Sequence, residues 1–85
     1  MIELREQVEK IQTRDDFVMF MHHLVQDLRT CPGRWENTSL DAYLVALAAW
    51  VQDMDGYYHN RGEKLPQHLT WKHIGEILLA ARIYE

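Results

Sequence analysis

The fold turns on one stretch, "AYLVALAAWVQDMDGYYHN", residues 42–60. From Ala42 to Val51 every residue is apolar. A helix that is hydrophobic all round is a buried one, because an exposed helix would carry a polar face. The stretch therefore predicts a central helix with the other helices packed around it. Read at seven-residue intervals, Leu40, Leu47 and Met54 form one row, Tyr43, Trp50 and Tyr57 a second, and Leu44, Val51 and Tyr58 a third. All three rows pass through Gly56 unbroken, so the helix should run on to about Asn60, with Asn60 or Gly62 ending it. Gly56 inside that helix costs about 1 kcal/mol relative to alanine, and a glycine kept at that cost often admits a close neighbour, here the loop or a bound partner.

Two other readings of the segment are weaker. "DMDG" looks like part of an EF-hand loop, but placing Asp53, Asp55 and Gly56 at its third, fifth and sixth positions puts Val51 first and Gly62 twelfth. An aspartate and a bidentate glutamate are required there. A helix stop at Gly56 would set Asp53 and Asp55 in the last turn, against the negative end of the helix dipole. In the continuous helix Asp53, Asp55 and His59 project away from the tyrosine rows. Their plain reading is a solvated helix end paired with Arg61, Lys64 or Arg34.

Working outward, three more segments carry helical periodicity and none alternates as a strand does. "IELREQVEKI" repeats Leu4, Val8 and Ile11, with Glu6 placed to pair with Lys10 and a start expected to fray. "TRDDF" offers Thr13 and Asp16 as a reciprocal cap for a stripe of Phe17, Phe20, Met21, Leu24 and Leu28, widened by Val18 and Val25. "TCPGRW" ends that helix, since Pro32 cannot donate a helical hydrogen bond. In "TSLD" Thr38 and Asp41 repeat the capping spacing, and Asn37 or Ser39 can also cap. Beyond the "NRGEKLPQHL" loop, Thr70 should cap a last helix with Trp71, Ile74, Leu78 and Ala81 on one face and Tyr84 near an ordered end. The expected fold is all-α: a single domain over residues 1–85, a compact bundle of about four helices around the apolar third one.

Composition narrows the function. The 85 residues carry 9 basic and 13 acidic groups for a net charge of −4, and the basic residues form no stripe, which disfavours nucleic acid. No apolar run reaches the roughly 18 residues that span a bilayer. "MIELREQVEK" has neither the basic nor the apolar region of a secretion signal, and Cys31 is the only cysteine. The expectation is a cytoplasmic protein with no membrane attachment. No phosphate loop and no G-x-S-x-G elbow are present, and Ser39, the only serine, stands where it caps rather than attacks. His22 and His23 are adjacent and point about 100° apart on a helix, and His68 and His73 lack a ligand spacing. No cofactor or metal is implied.

"RDDFVMFMHHLVQDL", "WEN", "LVALAAWVQDMDGYYHN" and "ILLAARIYE" together give the chain a likeness of its own. On them it resembles a family of small uncharacterised bacterial proteins, a domain of unknown function. The resemblance implies a compact helical domain with Trp35, Glu36, Asn37, Trp50, Asp53, Asp55, Gly56, Tyr57, Tyr58 and Trp71 as its signature, and it implies no activity. In this signature Trp35 should cover one end of the core, and Glu36 should contact a neighbouring backbone or Arg34. The leading expectation is a protein-interaction module of immunity or regulatory type. Its surface would be the acidic and aromatic end of the third helix: Asp53, Asp55, Tyr57, Tyr58 and His59, with Trp50, Trp35 and Glu36. The partner is another protein or a second copy of the chain, packed on the alanine face of the third helix. The alternatives are a small metal-dependent hydrolase using Asp53, Asp55 and His59, with Glu36, and an acidic anti-defence or DNA-mimic protein.

Overall fold

Each helix begins on a side chain that satisfies its first free N–H groups. The computed structural model describes residues 3–84 and places α1 at Leu4–Glu9, α2 at Arg14–Thr30, α3 at Leu40–Asn60 and α4 at Trp71–Ala81, with a 3-10 turn at Pro32–Arg34. Fraying before Leu4 and the order of Glu85 fall outside the described residues. Among the described residues there is no strand, and the all-α bundle of four helices stands.

At α2 the expected cap is present in full: Thr13 Oγ1 accepts the Asp16 N–H at 3.1 Å and the Asp16 carboxylate accepts the Thr13 N–H at 3.3 Å. Cys31, half-buried, closes that helix ahead of Pro32. At α3 the cap is Ser39 rather than Thr38, with Ser39 Oγ accepting the Ala42 N–H at 3.4 Å. A one-residue shift suffices because both residues carry a hydroxyl of similar reach. α3 then runs through Gly56 to Asn60, as its aromatic rows predict, and Gly62 at φ 72° turns the chain out of it. Thr70 caps α4, and His73 completes a capping box, its Nδ1 accepting the Thr70 N–H at 3.1 Å.

α4, and not α3, is the hub of the bundle. It packs on α1, α2 and α3, whereas the helix-to-helix packing of α3 is on α4 alone. One buried cluster joins Leu4, Val8 and Ile11 to Phe20, Leu24 and Leu79; a second joins Trp50, Met54 and Tyr58 to Ile77. α4 thus supplies Leu79 to one cluster and Ile77 to the other. Close packing of α1 on α4 depends on Gly75, where a Cβ would lie 2.9 Å from Ile11 Cδ1 and 3.0 Å from Val8 Cγ2. Lys72 of α4 also reaches Glu9 at 2.9 Å, which holds the Glu9 carboxyl below its ordinary range. The expected Glu6–Lys10 pair is absent among the described residues.

The reason α3 is not enclosed is supply. An 11-residue α4 covers one side of a 21-residue α3, and α1 and α2 are already committed to α4. The far side of α3 is left to solvent, with Leu40 73%, Leu44 53%, Val45 70% and Val51 40% exposed. No helix among the described residues is long and apolar enough to cross a membrane.

Candidate functional site

The residues singled out by sequence fall into three groups once the chain is folded. The first group, around Trp35, Glu36 and Asn37, closes the end of α4. Asn37 does not cap α3. Its side-chain amide donates to the carbonyls of Ala81 at 2.9 Å and Tyr84 at 2.8 Å, while the backbone N–H groups of Glu36 and Asn37 reach the Arg82 carbonyl at 2.9 and 3.1 Å. Carbonyls left open at a helix C-terminus are thereby satisfied from a loop far away in sequence. Trp35 covers the end of the core as expected: it packs on the first cluster, stacks on Tyr43 and donates its Nε1–H to Asp27 at 2.8 Å. Arg34 pairs with Asp27 at 3.8 Å and not with Glu36. Arg82 reaches the same carboxylate at 3.4 Å. Glu36 itself is engaged only through its backbone N–H, and the residue is exposed.

The second group is the tyrosine end of α3. Tyr58 is 2% exposed and Trp50 6%, so both belong to the core and present no surface to a partner. Burial, reinforced by the nearby Glu76 charge, pushes the Tyr58 hydroxyl up to about 12, and that hydroxyl has no hydrogen-bond partner among the described residues. Tyr57 is half-buried and donates to Glu76 Oε2 at 3.3 Å; burial and then the Glu76 charge raise its pKa. Arg61 completes this knot. It donates to Tyr57 Oη, lies 5.1 Å from the ring centroid, and pairs with Glu76 at 3.7 Å and Glu63 at 3.5 Å. Glu76, only 9% exposed, is in this way given a cation and a hydroxyl, as a buried carboxylate requires.

The third group is acidic and exposed. Asp53, Asp55 and His59 are all exposed on α3; Asp55 and His59 share its outer side, whereas Asp53, about 200° round the helix from Asp55, lies on the flank that meets Tyr84. Asp53 pairs with none of Arg61, Lys64 or Arg34; it accepts a short hydrogen bond from Tyr84 Oη, and that bond raises the Tyr84 pKa. Asp55 makes only a local contact, accepting the Gly56 N–H at 3.2 Å. With α3 ending at Asn60, both aspartates stand ahead of the last turn, where the dipole penalty has largely faded. Gly56 has open space where a Cβ would stand, so no loop approaches it. Among the described residues no three His, Cys, Asp or Glu side chains gather where they could hold a metal ion. Asp53, Asp55 and His59 are not gathered into one such cluster, and Glu36 stands at the other end of α3.

The sequence reading encloses α3 and offers only its alanine face to a second copy, whereas the structure leaves its leucines and valines in water. α3 carries three aspartates and no lysine or arginine, and its outer side shows Leu40, Leu44, Val45 and Val51 in succession before Asp55 and His59. Beside it, between α2 and the start of α3, lies an open apolar groove of about 280 Å³ lined by Met21, Leu24, Val25, Leu28, Leu40 and Tyr43, with Trp35 at its edge. The signal was present in the sequence: an all-apolar helix in a chain too short to surround it. No curated protein and no solved structure matches the chain. A family model does, over residues 13–85, so that α1 alone among the helices precedes the matched segment. From the capping threonine of α2 onward, the chain belongs to the family of unknown function DUF7660.

Proposed function

We propose that the protein is a small bacterial, cytoplasmic interaction module, of immunity or regulatory type, that binds another protein through the acidic end of α3. One observation carries this reading. Asp55 and His59 stand exposed on a helix free of lysine and arginine, and among the described residues the fold makes no long-range use of either side chain. Acidic rims of this kind steer and orient a basic partner surface. Asp53 contributes charge while anchored by Tyr84. Glu36 is exposed near the opposite end of α3, away from this surface, and Trp35 packs on the core. Tyr58 acts only by holding the helix in place. A half-buried lone Cys31 suits a reducing compartment.

The test is affinity capture with the tagged chain and its Asp55→Arg and His59→Glu variants, with Asp15→Arg on α2 as control. A partner captured by the wild type and the control, and lost with Asp55→Arg at unchanged melting temperature, supports the reading. Equal capture by all forms, or none by the wild type, counts against it.

A further inference from the structure

We infer that the outer face of α3, from Leu40 to Val51, is the contact between two copies of this chain, packed antiparallel about a two-fold axis that passes between Leu44 and Ala48. This inference goes beyond the acidic-end reading and uses different residues. Four of its side chains, Leu40, Leu44, Val45 and Val51, are 40–73% exposed, and Val25 across the groove is 42% exposed. Taken with their fractional exposures, these five leave on the order of 300 Å² of aliphatic surface in water. Even with the half-buried groove lining the face stays below the roughly 600 Å² per partner at which stable interfaces begin, which places the dimer among weak, transient ones.

The chemistry of the face selects a second copy. From Ala42 to Val51 it carries no charge, so the middle of the contact forms without desolvating an ion. An antiparallel pair centred between Leu44 and Ala48 sets Leu40 beside the partner's Val51 and Leu44 beside the partner's Ala48, the latter large against small. Such interlocking lets helix axes approach to about 8–10 Å. In this arrangement Asp41, exposed in the first turn of α3, lies at the edge of the contact, where it keeps its water. A parallel pair would stack Asp41 on the partner's Asp41, which is why the antiparallel one is preferred. The groove gives the partner's helix a second wall, formed by α2. A membrane surface is a poor occupant, because interfacial helices carry Lys and Arg beside the apolar face and α3 has neither.

Sedimentation equilibrium of the full chain between about 5 and 300 µM, a span that covers the micromolar affinities of small interfaces, tests the inference. The expected mass rises from the monomer's 10.2 kDa toward twice that value. Leu44→Glu and Val45→Glu should each hold the chain monomeric throughout with helical content unchanged, since both side chains already face solvent. Leu65→Glu, at an exposed loop position, should dimerise as the wild type does. A wild type that stays monomeric at the highest concentration overturns the inference, as does a dimer that survives both α3 variants. So does equal loss of dimer with Leu65→Glu. Partner capture through Asp55 is a separate readout, and its failure leaves these masses unchanged.

Discussion

Replacing glycine by alanine at three positions should have three different outcomes, because the three glycines do different work. In a helix interior the exchange gains about 0.8–1 kcal/mol from propensity alone. At Gly56 nothing lies within 4 Å of the new methyl and φ is not positive, so the whole gain should appear. For a domain of this size about 1 kcal/mol raises the melting temperature by about 4–8 °C. At Gly75 the same gain is opposed by Ile11 Cδ1 at 2.9 Å and Val8 Cγ2 at 3.0 Å. Carbon atoms prefer about 3.5–4.0 Å, so each neighbour must retreat by about 0.5–1 Å. The Ile11 methyl can rotate aside. Val8 cannot, since a β-branched side chain in a helix keeps essentially one rotamer, and α1 itself must shift. Overpacking of this kind costs about 1–3 kcal/mol, leaving a net loss of about 1 kcal/mol and a melting temperature lower by a similar interval. At Gly62, φ 72° makes alanine unfavourable by about 1–2 kcal/mol. Thermal and urea unfolding followed by circular dichroism would rank Gly56→Ala above wild type and the other two below. If Gly75→Ala stabilises as much as Gly56→Ala, α1 is not seated on α4 and the packing described above is wrong.

Two tyrosine substitutions should move stability in opposite directions. Tyr43 donates to the Leu78 carbonyl at 2.6 Å, and Tyr43→Phe should cost about 1 kcal/mol, whereas Tyr58→Phe removes an orphan buried hydroxyl and should be neutral or stabilising by about 1 kcal/mol. Burial pushes both hydroxyls to about 12 from about 10 in the unfolded chain. Below pH 10 both states keep these protons and stability is full; between about pH 10 and 12 the unfolded chain ionises first, and stability falls by about 1.4 kcal/mol per pH unit for each tyrosine. Urea midpoints at pH 9 and 11 should therefore diverge, and less so in Tyr58→Phe. Asn37→Ala removes two hydrogen bonds to half-buried carbonyls and should cost about 1–3 kcal/mol. Asn37→Asp should not rescue it, because a carboxylate cannot donate.

Local order in this molecule is readable from spacing. Thr13 and Asp16 mark the start of α2, Leu4, Val8 and Ile11 the buried side of α1, and the aromatic rows the continuity of α3. The Thr70–His73 box has the capping spacing with imidazole in place of glutamate, and only the unusual acceptor hides it. What spacing does not convey is how many neighbours a helix will find. The apolar run of α3 describes its side chains correctly, but coverage depends on the lengths of α1, α2 and α4 and on where those are already engaged. For the same reason the partners of Asp53 and Asn37 are not visible beforehand. Tyr84 and the closing carbonyls of α4 stand 31 or more residues further along the chain. Trp50 and Tyr58 are misplaced at the surface by the same omission, since their rows show periodicity and not which row meets α4.

The attachment of α1 has a kinetic side. Six residues are too few for a helix that persists alone in water, where about 12–15 are needed even for favourable sequences. Its amide hydrogens are protected only while Leu4, Val8 and Ile11 stay lodged over Gly75, so α1 should exchange with solvent by opening as a unit, well before the rest of the protein unfolds. Each opening would uncover the Phe20 and Leu79 side of the core and remove Glu9 from Lys72, leaving the three helices matched to the family folded beneath. α1 is thus a detachable cover whose equilibrium is adjusted by the single methyl absent from Gly75.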